Sequence, residues 1–430
     1  AIDLAENSWR QVKFDLRLLK PQALFANMTG RGVTARAILD GAFTAPSFDY
    51  RIAADRVAID NTGLEVLTIA GRGRLTRQPW SIPVALRAAR VTGVGEAGGG
   101  ILRNLSVDGN LRVTPTLITG DALKVRSDQL VSTADVRIDL TNGQFQVGLT
   151  GRLGKYLIPG LGIVDVQSRL RVVPGTGGAV LSGEARVDVL RLDNAFFRSL
   201  AGGLPRITTQ LYRGPDRILR LNNLRVSAPA LSFAGSGYRR TDGTFHIEGS
   251  GRQRQYGPFR LVLDGPIERP TVDLLLARPN DAAQLSNVRV RLEPAGENFN
   301  FRATGGSILG PFTGNGTILL PKGGQSAVRI DALNVGETRV AGLLNIVTGG
   351  LEGRLAVSGG GLSGEILLRP VGSVQRVEAH LAAENARLGT VATVRRGRLD
   401  AVALLDPAGA SVEATATATA LRSGPVSIAR

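Results

Sequence analysis

The chain has 430 residues, no cysteine, two histidines and a formal net charge of +16 at pH 7. The lack of cysteine excludes disulfides, thiolate nucleophiles and zinc–thiolate sites. Because the chain is longer than one compact core usually grows, we expect either several domains or an extended array whose units pack only on their neighbours.

The positive charge comes mostly from arginine, since only five of the 52 basic residues are lysines. The arginines are spread along predicted strands at outward positions, often near Asp or Glu, as at Arg289 and Arg291. A dispersed basic face without interleaved aromatic residues is typical of a solvated surface, so we expect no nucleic-acid partner. For the densest basic group, contact with phosphate head groups stays open; it comprises Arg239, Arg240, Arg252, Arg254 and Arg260.

Alternating apolar residues predict β-strands from the start of the chain, where Val12, Phe14 and Leu16 are separated by polar residues. The clearest hairpin surrounds Asn142-Gly143, because Asn-Gly between two alternating runs is a strong turn signal. The apolar positions of this hairpin are Val136, Ile138 and Leu140 before the turn, and Phe145, Val147 and Leu149 after it. Strands of this kind have one apolar and one polar face.

The stretch 231–279 repeats the pattern with three short strands. Their apolar positions are Phe245 and Ile247, then Phe259, Leu261 and Leu263, then Val272, Leu274 and Leu276. An internal repeat links this stretch to the first part of the chain. Asp264-Gly265 followed by Pro270 matches Asp40-Gly41 followed by Pro46, and each copy leads into a new alternating run.

A second recurring pattern is an apolar residue followed by glycine at the next two positions of the same parity. It occurs at Ile69-x-Gly71-x-Gly73, Phe233-x-Gly235-x-Gly237, Ile247-x-Gly249-x-Gly251 and Phe312-x-Gly314-x-Gly316. These glycines remove side chains from the apolar face. The pattern predicts either a bend or bulge of the sheet, or room for a ligand.

Two segments depart from strand periodicity. Residues 194–200 precede Gly202-Gly203, and residues 338–348 place Val340, Leu343, Leu344 and Val347 at helical spacing before Gly349-Gly350. Both patterns predict short amphipathic helices that end at glycine.

Motifs of known chemistry are missing from the sequence. There is no Gly-x-Ser-x-Gly elbow, no histidine cluster with metal-ligand spacing and no phosphate-binding loop that leads into a helix. His246 and His380 stand alone at polar strand positions. We therefore expect no enzyme activity, no catalytic residue, no metal site and no cofactor. The long apolar face is the candidate functional surface, and periodicity leaves open whether a second sheet covers it or the sheet curls on itself.

The stretch 231–279 also resembles a known family. The matching residues are Gly249-Ser250-Gly251, Tyr256-Gly257-Pro258-Phe259, Asp264-Gly265, Pro270 and Val272-Asp273-Leu274, with Thr348-Gly349-Gly350-Leu351 downstream. In these residues the chain resembles the TamB family (translocation and assembly module) of AsmA-like bacterial envelope proteins. The resemblance is a structural signature that extends over most of the chain and includes no catalytic residue.

The resemblance implies an all-β fold: an elongated antiparallel sheet curled into a β-taco-like trough with an apolar interior, plus one or two short helices. It implies that residues 1–430 form one continuous repetitive segment, cut from a longer periplasmic protein with an inner-membrane anchor at its N-terminus. The sequence begins with Ala1, not Met, which agrees with an internal segment.

The implied function is conduction of phospholipids between the inner and outer membranes along the apolar groove. The alternative is a scaffold that assists the insertion of outer-membrane β-barrel proteins together with a TamA-like barrel partner. On the first interpretation, the groove is lined by the fourteen apolar hairpin and strand positions named above, from Val136 to Leu149 and from Phe245 to Leu276.

Overall fold

The computed structural model describes residues 1–23, 28–59, 62–92, 102–158, 162–176, 178–193, 198, 200–279, 284–321, 324–372, 374–388, 392–406, 409–423 and 426–428. The chain divides into two compact units. Unit 1 comprises residues 1–191, 206–224 and 238–243, and unit 2 comprises residues 192–205, 225–237 and 244–430. The prediction of one continuous repetitive segment stays a prediction.

Unit 1 contains the first fourteen strands, except for Leu192 at the end of β13. They are β1 (Ile2–Asp3), β2 (Ser8–Arg17), β3 (Met28–Arg31), β4 (Thr34–Ala42), β5 (Ser47–Ile59), β6 (Thr62–Arg74), β7 (Trp80–Thr92), β8 (Arg103–Val113), β9 (Leu117–Arg126), β10 (Leu130–Asp139), β11 (Phe145–Ile158), β12 (Gly162–Gly175), β13 (Gly178–Leu192) and β14 (Arg206–Arg213). A single 3₁₀ turn is described at Pro21–Ala23.

The remaining strands are β15 (Leu219–Ala228) and β16 (Leu231–Arg239), which contribute residues to both units, and the strands of unit 2. The latter are β17 (Phe245–Gln253), β18 (Gly257–Gly265), β19 (Thr271–Leu276), β20 (Ser286–Ala295), β21 (Asn298–Ser307), β22 (Gly310–Leu319), β23 (Ala327–Val335), β24 (Thr338–Val347), β25 (Gly350–Gly359), β26 (Leu362–Val371), β27 (Val374–Leu388), β28 (Ala392–Asp406), β29 (Gly409–Ser423) and β30 (Val426–Ile428).

Consecutive strands pair antiparallel in both units. In unit 1, β2 pairs with β1 and β4, β3 and β4 lie one after the other along β5, and each strand from β5 to β11 pairs with the next. In unit 2, each strand from β17 to β29 pairs with the next. The sheet of each unit curls into a trough, and the predicted all-β antiparallel fold is confirmed.

The two copies of the Asp-Gly to Pro repeat fold alike. Gly41 and Gly265 both adopt a positive φ, of 96° and 113°, at the end of a strand. Pro46 and Pro270 are both buried and both directly precede the next strand. The repeat is therefore one turn structure used twice.

The predicted helix over residues 338–348 is wrong, because this segment is β24. Val340 and Leu344 are buried while Arg339 and Leu343 are exposed, so the segment alternates with a period of two. Gly342 occupies an inward position without a side chain, and Leu343 stands 47% exposed on the outer face. Together these two residues gave the strand a false helical spacing. In the other predicted helix, Arg198, Leu200 and Ala201 are helical, and residues 194–197 and 199 lie outside the described residues.

The buried side chains form clusters between neighbouring strands of the same sheet. One cluster in unit 1 consists of Val33, which directly precedes β4, and of Ala54, Leu67 and Ala88, which lie in β5, β6 and β7. The cluster in unit 2 contains Val340, Leu344, Leu355 and Val357 of β24 and β25, and its half-buried partners come from β23 to β27. Each core is therefore one side of a curled sheet.

The alternation of the sheet inverts across β5 and β6. In β5, Ala54 belongs to the apolar cluster and Val57 packs against it, and in β6, Leu67 belongs to the cluster and Leu64 packs against it. Two residues separate the members of each pair, so both intervening side chains face outward. In β6 this shift is made at Val66, whose φ is +52° and whose side chain is 68% exposed.

Val66→Gly is expected to raise the free energy of unfolding by up to about 1 kcal/mol, because a β-branched residue is strained at positive φ and glycine is not. Val131→Gly is the matched control: Val131 is 62% exposed on a strand and has no positive φ, so the same change is expected to destabilise. Chemical denaturation of both variants measures the difference. Equal destabilisation by the two changes would contradict the strain at Val66.

Candidate functional site

The structure brings the predicted groove residues of unit 2 together on one face of the sheet. Directly opposite residues of an antiparallel pair point to the same face. Ile247 lies opposite Leu263, and Leu263 lies opposite Val272. The other predicted residues are joined in the same way, through the pairs Phe245–Gly265, Gly251–Phe259, Phe259–Leu276 and Leu261–Leu274.

In unit 1 the predicted hairpin has the expected register. Val136 lies opposite Val147 and Ile138 opposite Phe145, while Leu149 lies opposite the buried Ala134. Leu140 departs from the prediction, because β10 ends at Asp139, whose carboxylate accepts a hydrogen bond from the Thr141 amide at 2.9 Å. Leu140 therefore lies in the turn, 48% exposed.

One row of side chains shows how far the apolar face of unit 2 extends. We define this inner row by thirteen residues that lie directly opposite one another from β17 to β29, and every member is apolar or glycine. The row is Gly249, Leu261, Leu274, Val290, Ala303, Gly314, Leu333, Val340, Val357, Gly364, Leu381, Leu399 and Ala416.

The adjacent row on the other face has the opposite character. We define this outer row by the thirteen opposed residues one position further along each pairing, of which only Leu275 and Ala382 are apolar. The row is Ser250, Arg260, Leu275, Arg289, Thr304, Thr313, Asn334, Arg339, Ser358, Ser363, Ala382, Arg398 and Thr417. The two faces of this sheet therefore differ in polarity over its whole width.

Unit 1 has a similar apolar row across β2 to β9. Its members are Leu16, Ala35, Ile52, Ile69, Leu86, Val107 and Val125. The row then changes to Ser132, Gly151 and Ser168 in β10 to β12, where the buried Ser132 hydroxyl donates to the Thr150 carbonyl at 3.0 Å. The apolar row of unit 1 thus ends in small residues.

The apolar side chains of these faces are only partly covered. Among the predicted groove residues, Phe259 is buried, and the others except Leu140 are half-buried. The chain exposes 25455 Å². Two compact globular proteins of half its mass would together expose about 19,000 Å². The surplus agrees with sheets whose apolar side chains shield one another without a second layer on top.

The glycine pairs of the sequence are filled by the protein itself. A Cβ on Gly249 would lie 2.7 Å from the Phe233 ring, and one on Gly251 would lie 2.6 Å from the Phe259 ring. The rings of Phe233 and Phe259 stack across β17 with their centroids 6.3 Å apart. Elsewhere the same arrangement pairs Gly73 with Phe48, Gly71 with Tyr50, Gly316 with Phe301 and Gly305 with Phe312.

The two predictions for the glycine pairs were a bend or bulge of the sheet and room for a ligand. At these positions aromatic rings occupy the space that a ligand would need. Aromatic rings lie over strand glycines, an arrangement that stabilises glycine in sheets. Backbone also approaches closely, since a Cβ on Gly249 would lie 2.3 Å from the Ala234 carbonyl oxygen. The surface above these glycines is therefore formed by aromatic rings and neighbouring backbone.

The outer faces carry networks of arginine and carboxylate. In unit 1, Asp188 accepts from Arg206 at 2.6 Å and from Arg186 at 3.1 Å. In unit 2, His380 Nδ1 lies 2.7 Å from Asp400 Oδ1, and Glu378 bonds to Arg376 at 2.6 Å. The hydrogen bond from Arg206 holds the pKa of Asp188 below its ordinary value, and those from His380 and Arg376 do the same for the pKa values of Asp400 and Glu378.

Sequence reasoning missed the aspartates that support bulges. Where β9 carries two residues against one of β10, Ala122 adopts a φ of +50° and its amide donates to Asp135 at 2.8 Å. Gln11 of β2 has the same relation to Asp40, at 3.1 Å. In the sequence, each of these residues is an aspartate at a polar position of a strand. That pattern is the same for an aspartate that binds a bulge amide and for one that only contacts solvent.

A second missed residue is Gln375 on the inner side of β27. Its amide accepts from the Leu351 nitrogen at 2.8 Å and donates to the Leu351 oxygen at 2.9 Å, which joins β27 to β25 past the end of β26. Cα atoms of β25 and β27 come within 8 Å. Strands two places apart in a flat sheet lie about 9.6 Å apart, so the sheet folds sharply here.

The described residues contain no group of three or more His, Asp or Glu side chains arranged to hold a metal ion. Among them there is also no helix with the length and apolar character needed to cross a membrane. Comparison with protein-family models, curated proteins and solved structures finds no match to this chain.

Gly249→Ala is expected to destabilise unit 2 by about 1 to 3 kcal/mol, because the new methyl group would overlap the Ala234 carbonyl and the Phe233 ring. Gly148→Ala in β11 is the control. Its Cβ would meet only ordinary contacts from 3.8 Å outward, so a change below about 0.5 kcal/mol is expected. Urea unfolding of the two variants gives the comparison, and similar losses would exclude close packing as the role of Gly249.

Asp188→Asn tests the outer network by its pH dependence. Because the pKa of Asp188 is lowered on folding, its contribution is complete above the ordinary carboxyl pKa and is lost as the pH falls through the folded pKa. The variant is expected to be less stable than the wild type by about 1 kcal/mol or less at pH 7, and equally stable once the pH is well below 3.8. Urea midpoints at several pH values measure this, and a gap that persists in acid would refute the assignment.

Proposed function

We propose that the apolar faces of this chain hold the acyl chains of phospholipids, and that the chain is a periplasmic segment of a conduit between the inner and outer membranes. The observation that carries the proposal is the inner row of unit 2, which contains no polar residue from β17 to β29. That the conduit would connect the inner and outer membranes is what the resemblance to the TamB family implies.

The energetics favour a continuous apolar surface. A phospholipid with about 30 methylene groups would lose more than 20 kcal/mol on passing into water. In the inner row, apolar side chains recur at each strand, about 4.8 Å apart, so an acyl chain moving across the strands need not cross a polar row. The barrier to movement along such a face is therefore low.

The glycine and aromatic pairs suit a sliding ligand. Phe233 and Phe259 lie over the glycines of β17 and are almost fully buried, at 7% and 8% exposure. Because the rings fill the spaces above the glycines, these positions offer no recess that would bind a single acyl chain. Such a lining favours passage of many lipids over tight binding of one.

Photo-crosslinking tests this proposal. A photoreactive amino acid at Ile138, Phe245 or Leu261 is expected to capture acyl chains when the protein is isolated from cells or loaded with phospholipid. The matched controls are the neighbouring outward positions Arg137, His246 and Arg260, which are expected to give no adduct. Mass spectrometry identifies the adducts.

An absence of lipid at all three inward positions, or equal labelling of the outward ones, would refute the proposal. The scaffold role with a TamA-like barrel partner stays a prediction, since no described feature favours it over lipid conduction.

A further inference from the structure

Four arginines and one glutamate form a single cross-strand row on unit 1. Arg31 lies opposite Arg56, Arg56 opposite Glu65, Glu65 opposite Arg90, and Arg90 opposite Arg103. We call these five residues the arginine row. They belong to β3, β5, β6, β7 and β8, so the row extends about 19 Å at the usual strand spacing.

The arginine row faces away from the apolar cluster. It lies on the line where the alternation of β5 and β6 inverts. Arg56 lies between Ala54 and Val57, and Glu65 lies between Leu64 and Leu67. All four arginines are exposed and Glu65 is half-buried. The row is therefore a charged stripe on the outer face.

Like charges stand directly opposite one another at both ends of this row, and such opposition destabilises a sheet. Glu65, which lies opposite Arg56 and Arg90, offsets part of it. Within the described residues, Arg56, Arg90 and Arg103 form no ion pair, and Arg31 approaches Asp55 only to 3.6 Å. Two other opposed arginine pairs among the described residues lie beside carboxylates. Arg291 opposite Arg302 bonds to Asp273 and Glu293, and Arg369 opposite Arg376 shares Glu378 with it.

A second destabilising feature, backbone strain, lies at the same place. Val66, next to Glu65, is the strained residue at a φ of +52°, and its isopropyl group projects 68% exposed beside the arginines. Leu19, in the segment that leads from β2 towards Arg31, is 80% exposed. Exposed aliphatic groups among cationic ones are typical of surfaces that lie on membranes, where the aliphatic groups enter the lipid and the cations meet the head groups.

We infer that the arginine row, with Val66 and Leu19, is a contact surface for a bilayer that carries anionic head groups. Charge complementarity assigns the occupant: the row carries four arginines and one glutamate, so negative phosphates would offset the positive charge that Glu65 leaves. The exposed aliphatic groups favour a bilayer over an acidic polypeptide. This surface is on the face opposite the proposed acyl-chain surface and does not depend on it.

Sedimentation with vesicles tests the inference. The wild type is expected to bind phosphatidylcholine vesicles that contain about one third phosphatidylglycerol, and not vesicles of phosphatidylcholine alone. About 0.5 M salt should release it, because exposed charges are then screened. Arg90→Gln combined with Arg103→Gln should weaken binding about 30-fold, from about 1 kcal/mol for each charge.

The matched control is Arg291→Gln combined with Arg302→Gln, which removes the same charge from an opposed pair that carboxylates neutralise. This control should change vesicle binding less than about twofold. The Arg90 and Arg103 variant should unfold at a urea concentration close to that of the wild type. It loses the like-charge opposition of Arg90 and Arg103 and, with it, the opposite-charge opposition of Arg90 and Glu65. Loss of binding through misfolding would instead lower that midpoint.

Three results would overturn the inference: no binding to anionic vesicles, equal weakening by the two double variants, or binding of polyglutamate in preference to vesicles. Retention of lipid on the apolar face should be insensitive to salt and to these arginines. Failure of the vesicle experiment is therefore distinguishable from failure of the crosslinking experiment.

Discussion

The constraint on which this structure depends is that each strand buries its apolar side chains only against its neighbours in the same sheet. The clusters around Ala54 and Leu344 are built in this way, from residues of consecutive strands. A flat sheet cannot bury much by itself, because side chains on one face then stand parallel. Curling brings them together on the inner side, so curvature here takes the place that a second layer has in a sandwich.

Curvature in turn requires residues that tolerate it. Glycines on the inner face allow close approach: a Cβ on Gly364 would lie 2.0 Å from the His380 carbonyl oxygen, at a φ of +143°. Bulges contribute from the outer face, where Asp135 and Asp40 bind the exposed amides of Ala122 and Gln11. Aromatic rings then cover the glycines. Glycine and aspartate thus allow the sheet to bend, and the aromatic rings over the glycines keep its inner face apolar.

Much of this could be predicted from the sequence, because a period of two is a direct consequence of strand geometry. The opposition of Val136 and Val147 followed from Asn142-Gly143 and the alternation on either side of it. Prediction failed where curvature disturbs the period. Gly342 and the exposed Leu343 gave a strand the apolar spacing of a helix. The inverted alternation near Val66 could not be recognised from the order of apolar and polar residues in the sequence. Bulge partners such as Asp135 depend on register, which a single strand does not encode.

Two unfavourable features lie on the line of inverted alternation in unit 1. At Val66 the sheet bears strain that glycine would remove, and at Arg90 and Arg103 it bears a repulsion that Glu65, opposite Arg90 alone, offsets only in part. A bend alone would require neither the valine nor the arginines. Backbone strain and charge repulsion both lower the stability of the folded protein. When they lie together at one place, and common substitutions would remove them, they indicate selection for something other than stability. The inversion places those same side chains outward, where a partner outside the sheet can offset the unfavourable energy that Glu65 leaves.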